Sequence, residues 1–278
     1  MSSEARAAHG PDPHVRLKAV TMAFPVRRGK PLVALKDLDF SLTRGEFCCI
    51  VGPTGCGKST LLRIVAGLLR PTSGQVLIDN ALVARPHPNV AMVFQSHNLL
   101  PWRTAIENVE LGLEARKMPR RDRRARAHQW LGLVGLGDFT EFYPGQMSGG
   151  MQQRVGLARA LAVEPDVLLM DEPFGSVDAQ TRRVMQVELM RLHALDRKTV
   201  LFVTHDVEEA IYLADRVVVL GSRPAQVAEV VSVPFDRPRD DTVHGDPRFV
   251  ALRETLWRRL IGVGVPVAEP AADTSPSV

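Results

Sequence analysis

Cysteine, aromatic residues and long apolar runs are all scarce in this sequence of 278 residues. The three cysteines, Cys48, Cys49 and Cys56, include an adjacent pair and show no C-x-x-C spacing. We therefore expect a reduced, cytosolic chain without a disulfide framework. No run approaches the roughly 20 apolar residues of a membrane-spanning helix, and the polar N-terminus lacks the apolar core of a secretory signal. If the protein works at a membrane, we expect it to do so from one side and through partners.

Acidic and basic residues nearly balance, with a formal net charge of +4, and much of the excess lies in the arginine-rich residues 116–127. At helical spacing these arginines form a solvated face, with Leu131, Leu133 and Val134 turned inward. The alternatives are a nucleic-acid surface or a contact with anionic lipid headgroups. We expect the solvated face and no nucleic-acid partner.

Short apolar strands alternate with helical patterns, which predicts an α/β fold whose mostly parallel sheet is covered on both faces. Residues 15–42 instead favour two antiparallel strands, and residues 97–161 show almost only helical spacing, as expected of an inserted helical subdomain. A strand and a helix are predicted within residues 223–265. The compositions of residues 1–14 and 266–278 are typical of disorder.

The stretch GPTGCGKST fits the phosphate-binding pattern G-x-x-x-x-G-K-[ST], between a predicted buried strand and a predicted helix. Glycines let the backbone curl so that successive N–H groups turn inward, and the helix N-terminus adds partial positive charge. The lysine reaches the β- and γ-phosphates, and the serine offers its hydroxyl to Mg²⁺. The candidate nucleotide-binding residues of this loop are Gly52, Pro53, Thr54, Gly55, Cys56, Gly57, Lys58, Ser59 and Thr60.

Cys56 lies inside this loop, close to the start of the predicted helix. A thiol near a helix N-terminus has a depressed pKa, so we expect Cys56 to be reactive. If the loop binds and hydrolyses a nucleotide, thiol reagents should then inhibit that hydrolysis, and bound MgATP should protect Cys56 from the reagents.

Four polar residues follow apolar strands. Asp171 and Glu172 end VLLMDE, Gln95 ends NVAMVFQ, and His205 ends TVLFVTH. Because the carboxyl ends of parallel strands share one edge of a sheet, we expect all four beside the phosphate loop. Asp171 would help to hold Mg²⁺ and Glu172 would polarise an attacking water. The alternative is that these are ordinary polar groups at strand ends.

A second glycine-rich turn, MSGGMQQR, also looks like a helix start that faces an anion, although it contains no lysine. Its residues Ser148, Gly149 and Gly150 would present free N–H groups and the helix dipole to a phosphate. A positive charge would then have to come from another part of the site.

Taken in order, GPTGCGKS, VFQ, MSGGMQQR, VLLMDEP, GSVD and VTHD resemble the ATP-binding subunit of ABC transporters. The resemblance covers residues 15–222 and implies a P-loop ATPase with an antiparallel N-terminal subdomain and a helical signature subdomain. It also implies ATP and Mg²⁺ as ligands. LLPWRTAIENVELGLE, PFGSVDAQTR and SRPAQVAEVVSV are similar to the importer group for nitrate, sulfonate, taurine and bicarbonate. The alternatives are importers of other solutes, non-transport ABC ATPases of repair or translation, and a regulatory module that barely hydrolyses ATP.

The resemblance assigns further roles by position. Gln95 becomes the Q-loop residue that senses Mg²⁺ or water, Asp178 ends the D-loop and His205 contacts the γ-phosphate. Phe24 falls where the family places an aromatic residue on adenine, although a core position in its strand is the alternative. The Mg²⁺ ligands are then Ser59, Gln95 and Asp171, and the catalytic residues are Glu172, His205 and Gln95.

In this family the signature of one subunit faces the ATP of another, so the resemblance implies a head-to-tail homodimer with two composite sites. Lys58 of the opposite copy would supply the charge that the signature lacks. Met147 and Met151 depart from the Leu and Gln usual at the two ends of the signature. We expect function to survive, because Ser148 and backbone groups make the phosphate contacts.

The importer resemblance also implies a transmembrane permease, an indirect link to a substrate-binding protein, and a peripheral place on the cytoplasmic face of the membrane. The loop QSHNLLPW joins the strand-end rim to the helical insertion. Its Leu99, Leu100 and Trp102 would form a groove for a helix of the permease, or else a small satellite core.

Overall fold

The structure is a computed structural model and describes residues 13–264 apart from residues 28, 97 and 176. The disorder predicted for residues 1–14 and 266–278 therefore lies almost wholly outside the described residues. The exceptions are residues 13 and 14, of which His14 is buried and has its Nδ1 2.6 Å from the hydroxyl of Thr199.

Within the described residues, ten strands form two sheets. The strands are β1 Val15–Phe24, β2 Leu32–Leu42, β3 Phe47–Val51, β4 Ser73–Ile78, β5 Ala81–Leu82, β6 Val90–Val93, β7 Val167–Asp171, β8 Thr199–Val203, β9 Arg216–Leu220 and β10 Val227–Ser232. The smaller sheet has the order β2-β1-β4-β5 and is antiparallel. Register shifts in the β1–β2 pair account for the imperfect alternation of its sequence.

The six-stranded sheet has the order β10-β9-β3-β8-β7-β6. Strands β9, β3, β8, β7 and β6 run parallel, and only the edge strand β10 pairs antiparallel. Strands β3, β7 and β8 are buried along their whole length, which explains their unbroken apolar sequences. Because five strands are parallel, their carboxyl ends meet at one rim.

Seven α-helices are described: α1 Lys58–Val65, α2 Ala105–Ala115, α3 Arg120–Leu133, α4 Gly149–Ala162, α5 Ala179–Leu195, α6 Val207–Leu213 and α7 Pro247–Gly264. Helix α1 packs between the two sheets, in a core shared with β1, β2 and β3. Helices α5, α6 and α7 pack on the opposite face of the large sheet. Helices α2, α3 and α4 form a third core of their own. The helical insertion is thus held by its own apolar contacts, and α4 also reaches the core of the large sheet.

The segment after β9 is anchored to the sheet core. Arg239 is 7% exposed, and its guanidinium donates to the carbonyl oxygens of Ile211, Tyr212 and Ala214 at the end of α6. These carbonyls have no partner within the helix, so Arg239 caps them. Phe249 on α7 is buried against the same core.

Candidate functional site

The phosphate loop is shaped by contacts that only glycine permits. Gly57 precedes α1 with φ +126°, and a Cβ there would lie 2.7 Å from Leu35 Cδ2 on β2. A Cβ at Gly52 would lie 3.1 Å from both the Cβ and the carbonyl oxygen of Leu220. The loop follows β3 directly in the sequence, and β3 pairs with β9. The two glycine contacts therefore place the loop between β2 and the end of β9.

Lys58 is the first residue of α1 and is only 6% exposed. Its Nζ donates to the carbonyl oxygens of Gly52 at 2.8 Å and Pro53 at 3.0 Å. The ammonium therefore lies across the loop, beside the N–H groups that open α1. A cation and a helix N-terminus at one place suit a polyphosphate.

The prediction that Cys56 has a depressed pKa is wrong. The side chain is 2% exposed, and its Sγ would be 3.2 Å from a Cβ at Gly52, so the thiol is packed beneath the loop. Burial raises the pKa of Cys56, and the smaller effects of Lys58 and of the helix start lower it without reversing this. The sequence showed the helix start but not the burial.

Asp171 ends β7 and is 5% exposed. Its Oδ1 accepts a hydrogen bond of 2.9 Å from the hydroxyl of Ser59 on α1. Burial raises the pKa of Asp171, and the bond from Ser59 opposes that shift. The structure thus brings together two of the three predicted metal ligands. Among the described residues no group of three or more His, Cys, Asp or Glu side chains could hold a metal.

Glu172 is the centre of the strand-end cluster. Its Oε2 accepts a hydrogen bond from Gln95 Nε2 at 3.2 Å and lies 3.5 Å from His205 Nδ1. Its φ is +45°, a left-handed conformation that costs energy for a residue with a side chain. The backbone N–H of Glu172 donates to Val203 at 3.0 Å on the neighbouring strand, which holds this conformation. Glu172 therefore turns away from Asp171 and meets Gln95 and His205.

A cleft of about 480 Å³ opens at this rim. Its lining residues are Thr54, Gly55, Gly57, Lys58, Ser59, Thr60, Gln95, Glu172, His205 and Arg223. The phosphate loop and three of the four predicted strand-end residues therefore share one cavity, and Asp171 reaches it through Ser59. Sequence reasoning missed Arg223, although β9 also ends at this rim and the same argument would have found it.

The turn that carries His205 is held by a buried carboxyl group that sequence reasoning also missed. Glu209 on α6 is 6% exposed and accepts hydrogen bonds from the Thr204 hydroxyl and from Gln186 Nε2. Burial raises the pKa of Glu209. Asp206 caps α6 by accepting from the backbone N–H groups of residues 208 and 209. His205 itself remains exposed, so the turn is fixed while the imidazole faces the cleft.

The second glycine-rich turn begins α4 as predicted. Ser148 is the N-cap, and its hydroxyl accepts from the backbone N–H of Met151 at 3.3 Å. The side chain of Met151 packs against the core of α2, α3 and α4. Only its backbone therefore takes part in the cap, which fits the expectation that this position tolerates methionine.

Ser148, Gly149 and Gly150 do not line the cleft beside Lys58 in the described part of the chain. Ser148 and Gly149 are exposed. A Cβ at Gly150 would lie 2.8 Å from Thr181 Cγ2, so the start of α4 packs tightly on the start of α5. The first N–H groups of a helix have no acceptor within it, so this end of α4 offers donors to something outside the chain's own cleft.

Asp178 and Phe24 also lie outside the residues that line the cleft. Asp178 caps α5 and accepts from the N–H of Thr181 at 2.9 Å, a bond that lowers its pKa. Phe24 ends β1 and packs partly against the core between the sheets. The preceding D-loop residue Ser176 lies outside the described residues. The roles predicted for Asp178 and Phe24 in ATP binding therefore remain predictions.

Comparison with known proteins identifies relatives along most of the chain. Residues 35–175 match the family described as ABC transporter. The uncharacterized ABC transporter ATP-binding protein MJ0412 of Methanocaldococcus jannaschii is 49% identical over 77% of this chain and 80% of its own length. The nitrate import ATP-binding protein NrtD of Synechococcus elongatus is 45% identical over 86% and 90%. The taurine import ATP-binding protein TauB of Pseudomonas aeruginosa is 44% identical over 88% and 95%.

Among solved structures, the ATP-binding cassette MJ0796 in a dimeric post-hydrolysis state with ADP and Pi superposes with a TM-score of 0.72. It is 36% identical, and the match covers 80% of this chain and all of that one. The predicted P-loop ATPase fold, with its parallel core and its two subdomains, is confirmed. The chain belongs to the ABC transporter family, as an ATP-binding subunit that hydrolyses ATP.

Proposed function

We propose that this subunit energises an importer for a small anionic or organic solute, and that it works as a head-to-tail homodimer. The observation that carries the proposal is the convergence of Gln95 and His205 on one carboxylate oxygen of Glu172, beside Lys58 and Ser59. Gln95, Glu172 and His205 follow three different strands, β6, β7 and β8, and Lys58 and Ser59 belong to α1. Convergence of this kind is typical of a reaction site.

The residues at the rim fit Mg²⁺. This ion keeps several waters and takes one or two protein ligands together with phosphate oxygens, so a large acidic cluster is not required. Ser59 donates a hydrogen bond to Asp171, and Gln95 lines the same cleft as Ser59. The cost of keeping the buried Asp171 ionised would be offset by a divalent cation. We therefore assign Ser59, Gln95 and Asp171 as the residues that would hold Mg²⁺ bound to ATP, where it would neutralise developing phosphate charge.

The carboxylate of Glu172 acts on the attacking water. The water donates a hydrogen bond to Glu172, and its proton moves to the carboxylate as the water oxygen bonds to the γ-phosphorus. The bond from that phosphorus to the β–γ bridging oxygen breaks, and ADP leaves with that oxygen. Gln95 donates to Oε2 and fixes the carboxylate. His205 lies 3.5 Å from Glu172 and lines the same cleft as Lys58, where it would contact the γ-phosphate. Lys58 and the first N–H groups of α1 hold the phosphates in line with that water.

A second copy would complete the site. Ser148 and Gly149 are exposed, and none of Ser148, Gly149 and Gly150 lines the chain's own cleft. Head-to-tail packing places the start of α4 from each copy against the triphosphate bound by the other. The dimeric state of MJ0796 supports the formation of a dimer. Asp178 and Phe24 would then contribute at the interface and at the adenine base.

The membrane partner would dock on the loop that leaves Gln95. Trp102 is 70% exposed, while Leu99 packs partly against the helical core. Asn108 is fully buried and bonds both the N–H and the carbonyl of Leu100, so the loop is held in one shape. Leu99 thus belongs to the satellite core, and Trp102 offers an apolar contact for a permease helix. No described helix is long and apolar enough to cross a membrane.

The basic run on α3 favours no nucleic-acid partner. Arg123 and Arg124 lie within ion-pair distance of Glu110, and Arg126 pairs with Glu164 at 2.9 Å. Acidic neighbours within the chain thus offset a large part of the arginine charge. This fits a solvated helix face better than a surface for phosphate backbones.

The solute class is inferred from the relatives, since nitrate and taurine import are named for NrtD and TauB. Specificity would lie in the permease and in a substrate-binding protein, which are other chains. The subunit would then lie on the cytoplasmic face of the membrane, where ATP is available. The alternative is a non-transport ABC ATPase, which the genes beside this one would reveal if they encode no permease.

The test is Glu172→Gln, which keeps the shape of the side chain and removes its basicity. We expect ATP binding to persist, turnover to fall by about 10²–10⁴, and MgATP to drive the variant into a stable dimer. Gel filtration with ATP and a phosphate-release assay measure these changes. Glu254→Gln, on the exposed face of α7, is the matched control and should behave like the wild type. Normal turnover of Glu172→Gln would refute the assignment.

A further inference from the structure

Arg223 lies three residues beyond β9, next to the phosphate loop. Strand β9 pairs with β3, the strand that leads into that loop. The close approach of Leu220 to Gly52 shows that the end of β9 and the start of the phosphate loop are in direct contact. The segment after β9 is therefore placed to act on the loop.

The segment that carries Arg223 is hydrogen-bonded to the N-terminal sheet. Ala225 is fully buried, its N–H donates to Ala34 at 2.9 Å, and its carbonyl accepts from Lys36 at 2.9 Å. The residue between these two partners, Leu35, is the one that packs on Gly57. One strand, β2, thus supports both the phosphate loop and the segment that presents Arg223.

Arg223 makes a direct bond to the phosphate loop. Its Nη2 donates to the carbonyl oxygen of Gly55, a residue with φ +74°. Among the described residues, a Cβ at Gly55 would meet only this guanidinium within 4 Å, at 3.8 Å. When a loop turns its N–H groups toward an anion, some carbonyls must point outward, and an outward carbonyl needs a donor.

We propose that Arg223 is a positioning residue for ATP binding, which tethers the Gly55 carbonyl and so holds the phosphate loop in its binding shape. The bond is charge-assisted and stronger than a neutral one. The guanidinium itself is exposed, so water and salt screen its charge. Arg223 therefore affects ATP binding through its hydrogen bond to the Gly55 carbonyl rather than through its charge. This inference rests on the nucleotide site proposed above.

Removal of the tether would free a glycine peptide and weaken ATP binding, while Glu172, Gln95 and His205 stay in place. The variant Arg223→Met keeps an apolar stem without a donor, and Arg223→Lys keeps a donor. We expect Arg223→Met to raise the Kd and KM for ATP about tenfold, with kcat changed by less than about twofold. Arg223→Lys should recover most of the affinity.

The measurements are ATP binding with a fluorescent ATP analogue and steady-state hydrolysis, on the full chain at about 50 mM and about 500 mM salt. A tether to a neutral carbonyl predicts the same ratio of Kd values, variant to wild type, at both salt concentrations. Arg258→Met, an equal loss of charge on the exposed face of α7, is the control and should bind ATP normally. Unchanged melting temperatures show that the variants fold.

The inference is overturned if Arg223→Met binds ATP like the wild type. It is also overturned if the difference disappears at high salt, which would show that the charge acts on the nucleotide directly. Lys58→Met separates this failure from that of the site as a whole. If Lys58→Met abolishes ATP binding while Arg223→Met does not, only the tether is wrong. If neither variant affects binding, the proposed nucleotide site is wrong.

Discussion

Replacement of Gly150 by alanine tests whether the start of α4 must pack tightly on α5. A Cβ at Gly150 would lie 2.8 Å from Thr181 Cγ2, about 0.6 Å inside ordinary van der Waals contact. Thr181 is β-branched, so its χ1 is restricted, and its N–H is bonded to the cap residue Asp178. The new methyl group must therefore push the start of α4 away from α5 or force Thr181 to move.

The expected cost follows from two opposing effects. Overpacking in a tight contact costs about 1–3 kcal/mol, and alanine in place of a helical glycine contributes up to about 1 kcal/mol of stability. Gly132, within α3, has nothing within 4 Å of a Cβ and is the matched control. We expect Gly132→Ala to gain up to about 1 kcal/mol of stability. Because the same gain applies to both variants, Gly150→Ala should be less stable than Gly132→Ala by the overpacking cost, about 1–3 kcal/mol.

Turnover should fall as well as stability. A shift of the signature turn by a few tenths of an ångström displaces donors that must meet phosphate oxygens, so we expect turnover to fall about tenfold. Thr181→Ser removes the clashing methyl group and should restore most of the activity in the double variant. Denaturant unfolding and phosphate release measure the two effects. If Gly150→Ala is as stable and as active as Gly132→Ala, the reasoning is refuted.

Three further predictions concern buried ionisable groups. Asp171→Asn should raise the unfolding free energy of the nucleotide-free protein by about 1 kcal/mol, because burial disfavours the charge of Asp171. The same substitution should lower Mg²⁺-dependent turnover at least about a hundredfold. A variant that is less stable than the wild type in thermal melts would contradict this. The pKa of Glu209 is raised, so its carboxyl group binds a proton more tightly in the folded state. The stability of the wild type relative to Glu209→Gln should therefore be greatest in acid and fall as pH rises through the pKa of Glu209. If the melting temperature of the wild type instead rises relative to that of Glu209→Gln between about pH 5 and about pH 8, the prediction is wrong. The raised pKa of the Cys56 thiol predicts slow alkylation at neutral pH that accelerates toward pH 9 and above, and fast labelling at pH 7 would show an exposed thiolate.

The parallel-strand argument predicted the main part of the site from sequence. Strand-end positions follow from apolar runs that stop at a polar residue, so Gln95, Glu172 and His205 were expected at one rim, where the cleft brings them together. The sequence pattern did not show which way each of these side chains points. The left-handed turn at Glu172 is what separates it from Asp171, and no propensity indicates such a turn at a glutamate.

Other features depend on tertiary packing and were out of reach. Cys56 looked reactive because its neighbours in sequence form a helix start. It is buried because it packs in the core between the two sheets, which includes residues far along the chain such as Leu220. Glu209 looked like one of several acidic residues at the start of α6, and only the fold places it under Thr204. The alternation after β9 predicted β10, but its antiparallel pairing with β9 on the edge of a parallel sheet is set by the fold.

The central claim is that each ATP site is shared between two copies, and mixing two inactive variants tests it most directly. Lys58→Met disables the phosphate loop and Ser148→Arg disables the signature, so each variant alone should be inactive. In a mixed dimer, one composite site carries both defects and the other carries none. With random pairing, the mixture should recover about one quarter of wild-type turnover. If the mixture stays as inactive as the separate variants, the site lies within one chain and the account is contradicted.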